Sequence, residues 1–155
     1  YAYQHPRYWQ VVQEETNGSG NLISSRHLFR DTEDKAKRTD AVMIPVECIR
    51  GRLMLIGCED DSLWETAHYI RRMDERLKAR AHECRYEALI YEHGTHFAFP
   101  ESMLRQIIPI LPGFLVNHAF RAAREYPKEC KETREDIDRR LNRAIQEWLQ
   151  EAKNE

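Results

Sequence analysis

Two short segments of this 155-residue chain hold side chains able to move a proton. Leu53-Met-Leu-Ile-Gly-Cys-Glu-Asp-Asp61 is an apolar run that stops on acids, and Tyr91-Glu-His-Gly-Thr-His96 closes a second apolar run on a histidine, 36 residues after Asp60. Open α/β sheets put their chemistry where the chain leaves the C-terminal ends of strands. An imidazole there can take the proton of a hydroxyl or thiol nucleophile and return it to a leaving group, because it titrates near ambient pH. A buried carboxylate on its other nitrogen fixes the tautomer and stabilises the imidazolium. Acid first and histidine second is the order of the last two members of a Ser…Asp…His set, and a Gly-x-Ser-x-Gly elbow for the first member does not occur in the sequence. The pattern is that of part of an enzyme.

The elements needed to position these residues are legible around them. Gly51-Arg52 turns the chain into a strand over 53–56 that is apolar throughout, as a parallel strand covered on both faces should be. Leu63, Ala67, Ile70, Met73 and Leu77 fall at helical spacing, with Arg71, Arg72, Asp74 and Glu75 on the outer face. Residues 86–91 form the second strand. The result is a right-handed βαβ unit with Asp60 and His96 leaving neighbouring strands at the same edge. After a loop with Phe97, Phe99 and Pro100, helices are expected at 101–108 and 113–125. Thr133 with Asp136 suggests a capping box for a last helix in which Ile137, Leu141, Ile145, Trp148 and Ala152 line one face. Residues 1–42 read as a polar helical insertion broken at Asn17-Gly-Ser-Gly20, and residues 43–155 as the remainder of the α/β unit.

Composition narrows the function classes. Twenty-four basic against 26 acidic residues give a net charge of −2, so no overall field favours nucleic acid or an anionic membrane. The charges of the last 35 residues are mixed and read as a solvated helix face. Cys48, Cys58, Cys84 and Cys130 show neither a C-x-x-C pair nor metal-ligand spacing, which suits a reducing, cytoplasmic setting without a zinc site. No apolar run reaches about 18 residues, the length of a membrane span. The sequence starts at Tyr1 without methionine, so a segment upstream of it would carry any targeting signal.

Ile44-Pro-Val-Glu-Cys-Ile-Arg-Gly-Arg-Leu-Met-Leu-Ile-Gly-Cys-Glu-Asp-Asp-Ser-Leu-Trp64, with Leu89-Ile-Tyr-Glu-His-Gly-Thr-His96, resembles the C-terminal domain of the acyl-CoA thioester hydrolase and bile-acid-CoA:amino-acid acyltransferase family, over roughly residues 1–123. The resemblance implies the C-terminal half of an α/β-hydrolase fold, a Ser or Cys nucleophile outside this sequence, an acyl-CoA or related ester as substrate, and no cofactor. The family's Gly-x-x-Asp pattern falls on Gly57 to Asp60, and its Tyr-x-Gly-x-Gly-His loop on Tyr91 to His96, with His93 and Thr95 at the glycine positions. This makes Asp60 and His96 the catalytic candidates. Alignment from Trp64 would favour Asp61 instead. With no nucleophile, the 155 residues alone are expected to be inactive. A strand lacking its neighbour should recruit another chain, so a homo-oligomer is expected.

Each assignment has a plainer competitor. Asp60 or Asp61 could cap the following helix. Cys58 has Ile56 two positions before it and Asp60 two after, where a nucleophile elbow needs small residues, and reads as a buried core thiol. Ser19 sits in a turn. His93, His96 and Glu92 lie too close in sequence to surround a metal readily. Tyr3, Tyr8 and Trp9 beside Arg7 are core or the wall of an acyl channel, and Arg71, Arg72 and Arg76 are a solvated face or a phosphate contact. The alternative to an enzyme is a non-catalytic interaction module that pairs through its sheet edge.

Overall fold

Two parallel strands, β1 (Arg52–Cys58) and β2 (Arg85–Tyr91), are joined by helix α3 (Thr66–Ala79) and pair in the register Arg52↔Arg85 to Cys58↔Tyr91. The structure is a computed structural model, and it describes residues 6–35, 43–107, 116 and 118–153. The remaining elements are α1 (Tyr8–Thr16), α2 (Arg26–Lys35), a 3-10 turn at Val46–Cys48, α4 (Glu101–Ile107), α5 (Arg121–Glu125) and α6 (Pro127–Glu151). The chain is therefore α/β, a small parallel sheet with helices around it. The first residues of the helix expected from 113, and Tyr3, lie outside the described residues.

Side-chain alternation assigns the two faces of the sheet. Tyr86 Oη donates to Asp74 of α3 at 2.9 Å, and Leu53, its register partner, packs with Tyr86 and Met73 around Val46, Leu77 and Cys84. On the opposite face Tyr91 Oη donates to Asp136 of α6, Arg140 of α6 donates to Glu87, and Arg52 and Arg85 both pair with Glu151 near the helix end. The apolar run in β1 thus has a helix on each side. Gly57 is required for the approach of α3: a Cβ there would lie 2.7 Å from Ile70 Cδ1 and 2.8 Å from Thr66 Cβ. Thr66 Oγ1 in turn accepts from Cys58 N and donates to Cys58 O, which ties the start of α3 to the end of β1.

A second core lies beneath the strand ends. Leu104, Val116, Phe120, Ala122, Ala123 and Cys130 cluster there, with Leu63 and Phe97 packed against them. Leu63 follows the acids of the first loop, and Phe97 follows His96, so burial of these two apolar side chains anchors both loops. The N-terminal segment closes the first loop from outside. Ser25 Oγ donates to Leu63 O at 2.6 Å, Ser25 N to Ser62 O at 3.0 Å, and Arg26 Nη1 to Glu59 O at 2.8 Å. Glu15 of α1 accepts from His27 N and Leu28 N, supplying the unsatisfied donors of the first turn of α2 with a carboxylate.

Several local expectations are corrected. The last helix starts at Pro127, not at Thr133: proline is preorganised for the first helical position, and Thr133 sits mid-helix with its hydroxyl turned to His93 O. The buried stripe of α6 runs through Cys130, Thr133, Arg134, Ile137 and Ala144, leaving Ile145 41 % exposed. Trp9 is not core but 74 % exposed. Arg76 is not solvated: its side chain is only 8 % exposed, and its guanidinium makes a two-pronged pair with Glu47 at 2.5 and 2.6 Å.

Candidate active site

The ladder ends at the same level on both strands, with Cys58 opposite Tyr91, and Glu59 N extends it by one bond to Tyr91 O at 2.9 Å. Beyond that bond the chains part as two loops, 59–62 and 92–96. Asp61 N turns back to Cys58 O at 3.4 Å, which points the carboxylate of Asp61 inward. Only 1 % of Asp61 is exposed.

His96 Nδ1 lies 2.9 Å from Asp61 Oδ2, and Leu63 N donates to Asp61 Oδ1, also at 2.9 Å. One carboxylate oxygen thus closes a local turn and the other orients the imidazole. The helix-cap reading and the chemical reading describe two halves of the same group, although the cap closes the turn at Leu63 rather than starting α3, whose N-cap residue, Glu65, makes no side-chain cap bond. Asp60, the preferred candidate from the spacing after Gly57, does not meet His96. Its Oδ2 lies 2.9 Å from His93 Nδ1. Consecutive residues in a turn point different ways, and each acid has taken its own histidine.

The surroundings of His96 are aromatic. The Trp64 ring meets it edge-on at 4.3 Å between centroids, Phe29 of α2 meets Trp64 at 5.5 Å, and Phe97 stands 5.8 Å from His96 on another side. Nε2 of His96 has no hydrogen-bond partner among the described residues. His93 is held differently. Its ring stacks on Tyr126 at 3.8 Å and 13°, and the Asp60 carboxylate holds it above its ordinary value of 6.5 despite desolvation, with Glu92 and Glu129 adding to the effect. Sequence reading weighed His93 only as a departure from a glycine and as a metal ligand, not as the partner of an acid. The available signal was a second acid–histidine couple at nearly the same spacing as the first.

Cys58 does not present a nucleophile. It is 1 % exposed, and burial first, then the charges of Asp61 and its neighbours, push its thiol up to about 12. Thiolate character is what makes a cysteine reactive, so this sulfur is inert packing. Burial likewise pushes Cys130 up to about 11. Ser19 lies in a turn between Gly18 and Gly20, both left-handed at φ 77° and 75°, with its hydroxyl on Thr16 O. A polar cleft of about 460 Å³ opens beside Asp60, between Arg26, Ser62, Glu65, Arg121 and Tyr126, and His96 does not line it. Among the described residues no group of three His, Cys, Asp or Glu could hold a metal ion, and no helix is long and apolar enough to cross a membrane.

Among curated proteins and among solved structures nothing matches the chain. Residues 7–103, well over half of it, match the family described as BAAT / acyl-CoA thioester hydrolase C terminal. That span takes in α1, α2, the βαβ unit and both loops with their acids and histidines. The chain therefore belongs to the BAAT / acyl-CoA thioester hydrolase C-terminal family, whose members are associated with hydrolase and acyltransferase activity.

Proposed function

We propose that this chain is the C-terminal part of an α/β-hydrolase that splits or transfers the acyl group of a CoA thioester, and that it contributes the general base His96 and its orienting acid Asp61. The observation that carries the reading is the 2.9 Å contact of His96 Nδ1 with a carboxylate that is itself buried and fixed by Leu63 N. With Nδ1–H donated to Asp61, the lone pair of His96 Nε2 is free to take the proton of a hydroxyl or thiol from a segment outside this sequence. The nucleophile's oxygen or sulfur then bonds to the acyl carbon, and the carbon–sulfur bond to CoA breaks. The proton on Nε2 passes to the departing CoA thiolate. Water or an amine repeats the sequence to release the acyl group, with His96 again as base. Asp61 replaces Asp60 in this role because Asp60 is engaged with His93.

The test is made in the longer protein with its nucleophile, measuring release of CoA thiol from acyl-CoA. His96→Ala and Asp61→Asn should each lower kcat by about 10³-fold or more, since the parts of such a set act as a unit. Asp60→Asn should retain most of the activity. Equal loss in Asp60→Asn and full activity in Asp61→Asn would return the role to Asp60, and an active His96→Ala would end the assignment.

A further inference from the structure

Past the Glu59 N to Tyr91 O bond, no backbone hydrogen bond ties the two loops together among the described residues. What ties them is side chains: Asp61 to His96, and Asp60 to His93. The acids are adjacent while the histidines are three apart, so the second loop must turn between its two attachment points. It does so at Gly94, where a Cβ would run into Cys58 Sγ, and at Thr95, whose Oγ1 accepts from Phe97 N. His93 is further fixed by Thr133 Oγ1, which donates to its carbonyl at 2.7 Å, and by the Tyr126 ring beneath it. We propose that His93 and Asp60 form a second imidazole–carboxylate pair that holds the His96 loop in register with the Asp61 loop, which makes His93 a positioning residue for His96. The inference rests on His96 and Asp61 being the working pair of the proposed function.

The brace responds to pH. The groups facing His93 are Asp60 from the first loop at 2.9 Å, Glu92 on its own loop at 3.9 Å, Glu129 of α6, and Glu132 and Asp136, which share with it an open hollow along α6. Tyr91 lines the same hollow, Tyr126 stacks on the ring, and Asp136 is already paired with Arg139 and Arg140, so the pull on protonated His93 comes from Asp60 on one side and from Glu92, Glu129 and Glu132 on the other. Its proton is lost at higher pH than that of a free imidazole, and the tie then weakens from an ion pair to a neutral donor on a carboxylate. His96, in contrast, must be neutral to act as base.

The experiment reads the His96–Asp61 bond itself in the 155-residue chain, as the exchange of the His96 Nδ1 proton with water, by NMR with labelled histidine. His93→Ala should speed that exchange about tenfold, the scale of losing one hydrogen bond to a charged group, with the sheet and α3 amides unmoved. His93→Asn, whose amide nitrogen can still donate to Asp60, should restore slow exchange and remove the step that the wild-type chain shows through the His93 titration above the ordinary base-catalysed rise of exchange with pH. Unchanged exchange in His93→Ala overturns the proposal. Should that variant fail to fold, Asp60→Ala, which removes the acceptor for His93 Nδ1, decides in its place: exchange speeded as in a cut brace supports the role, and wild-type exchange ends it. Because turnover is not the readout, a chain in which His93 proves irrelevant leaves the activity of the His96–Asp61 pair standing, and an active His96→Ala enzyme leaves the brace standing.

Discussion

Gly94 carries the second loop close over Cys58, and replacing it by alanine tests the whole arrangement. An added Cβ would lie 3.1 Å from Cys58 Cβ, 3.5 Å from Thr133 Cγ2 and far inside the contact distance of Cys58 Sγ. The sulfur has no room to retreat, because Cys58 is 1 % exposed and sits between the sheet and α6. Gly94 is not among the glycines of positive φ, so backbone strain adds nothing and the whole penalty is overpacking, about 1–3 kcal/mol. Cys58→Ala alone removes one buried sulfur and should cost about 1 kcal/mol. In the double variant the clash with sulfur is gone and only the 3.1 Å Cβ contact has to relax by a few tenths of an ångström. The two changes should therefore be strongly non-additive, with a favourable coupling of about 1–2 kcal/mol. Urea unfolding at constant m gives the three stabilities, and the His96 Nδ1 proton reports the site: shifted in Gly94→Ala, restored with Cys58→Ala present. Gly94→Ala within about 0.5 kcal/mol of the parent, or additive effects in the double variant, would show that the second loop does not cross Cys58.

Other outcomes follow from charges and edges. Arg76 and Arg80 hold the Glu47 carboxyl at about 2, well below its ordinary 4.5, so the stability it confers is present above that ordinary value and is lost as pH falls towards 2; Glu47→Gln should flatten this acid limb of a melting-temperature profile. His93 gives the opposite sign: raised above 6.5 by Asp60, it stabilises the fold below that pH and the contribution disappears as pH climbs through its folded value, so His93→Asn should narrow the difference in melting temperature between mildly acidic and alkaline buffer. Tyr91→Phe removes a hydroxyl from Asp136 and should cost about 1 kcal/mol by urea unfolding, because Arg139 and Arg140 still hold the carboxylate. The isolated chain is expected to self-associate through an unpaired strand edge, since two strands alone are marginal; a monodisperse monomer by light scattering would refute this.

Much of this was written in short-range pattern. The apolar run of β1, the helical spacing of Ala67, Ile70 and Leu77, and the second run into Tyr91 were sufficient to bring an acid and a histidine to one sheet edge, because parallel pairing leaves no other place for them. The choice between Asp60 and Asp61 was not available in that way. It depends on the turn from Cys58 O to Asp61 N and on the bond to Leu63 N, which rotate neighbouring side chains in different directions after the ladder has ended. The burial of Arg76 was equally hidden, since its partner Glu47 lies 29 residues earlier in a 3-10 turn. Thr133 read as a helix start because its sequence context fits a cap, and Pro127 prevailed because a proline at the first position removes a donor that would have been unsatisfied anyway.

The carbonyls of Glu59, Ser62 and Leu63 are all capped by residues 24–26, from a segment more than thirty positions earlier. An engineer trimming this protein to its βαβ unit would keep the sheet, both acids and both histidines, and would nonetheless unseal the acidic loop. Solvent would enter behind Asp61, and the loop that residues 24–26 hold shut would become open to proteases. Grafting the site onto another scaffold thus demands Ser24, Ser25 and Arg26 ahead of and at the start of α2 as well as the two acids and two histidines.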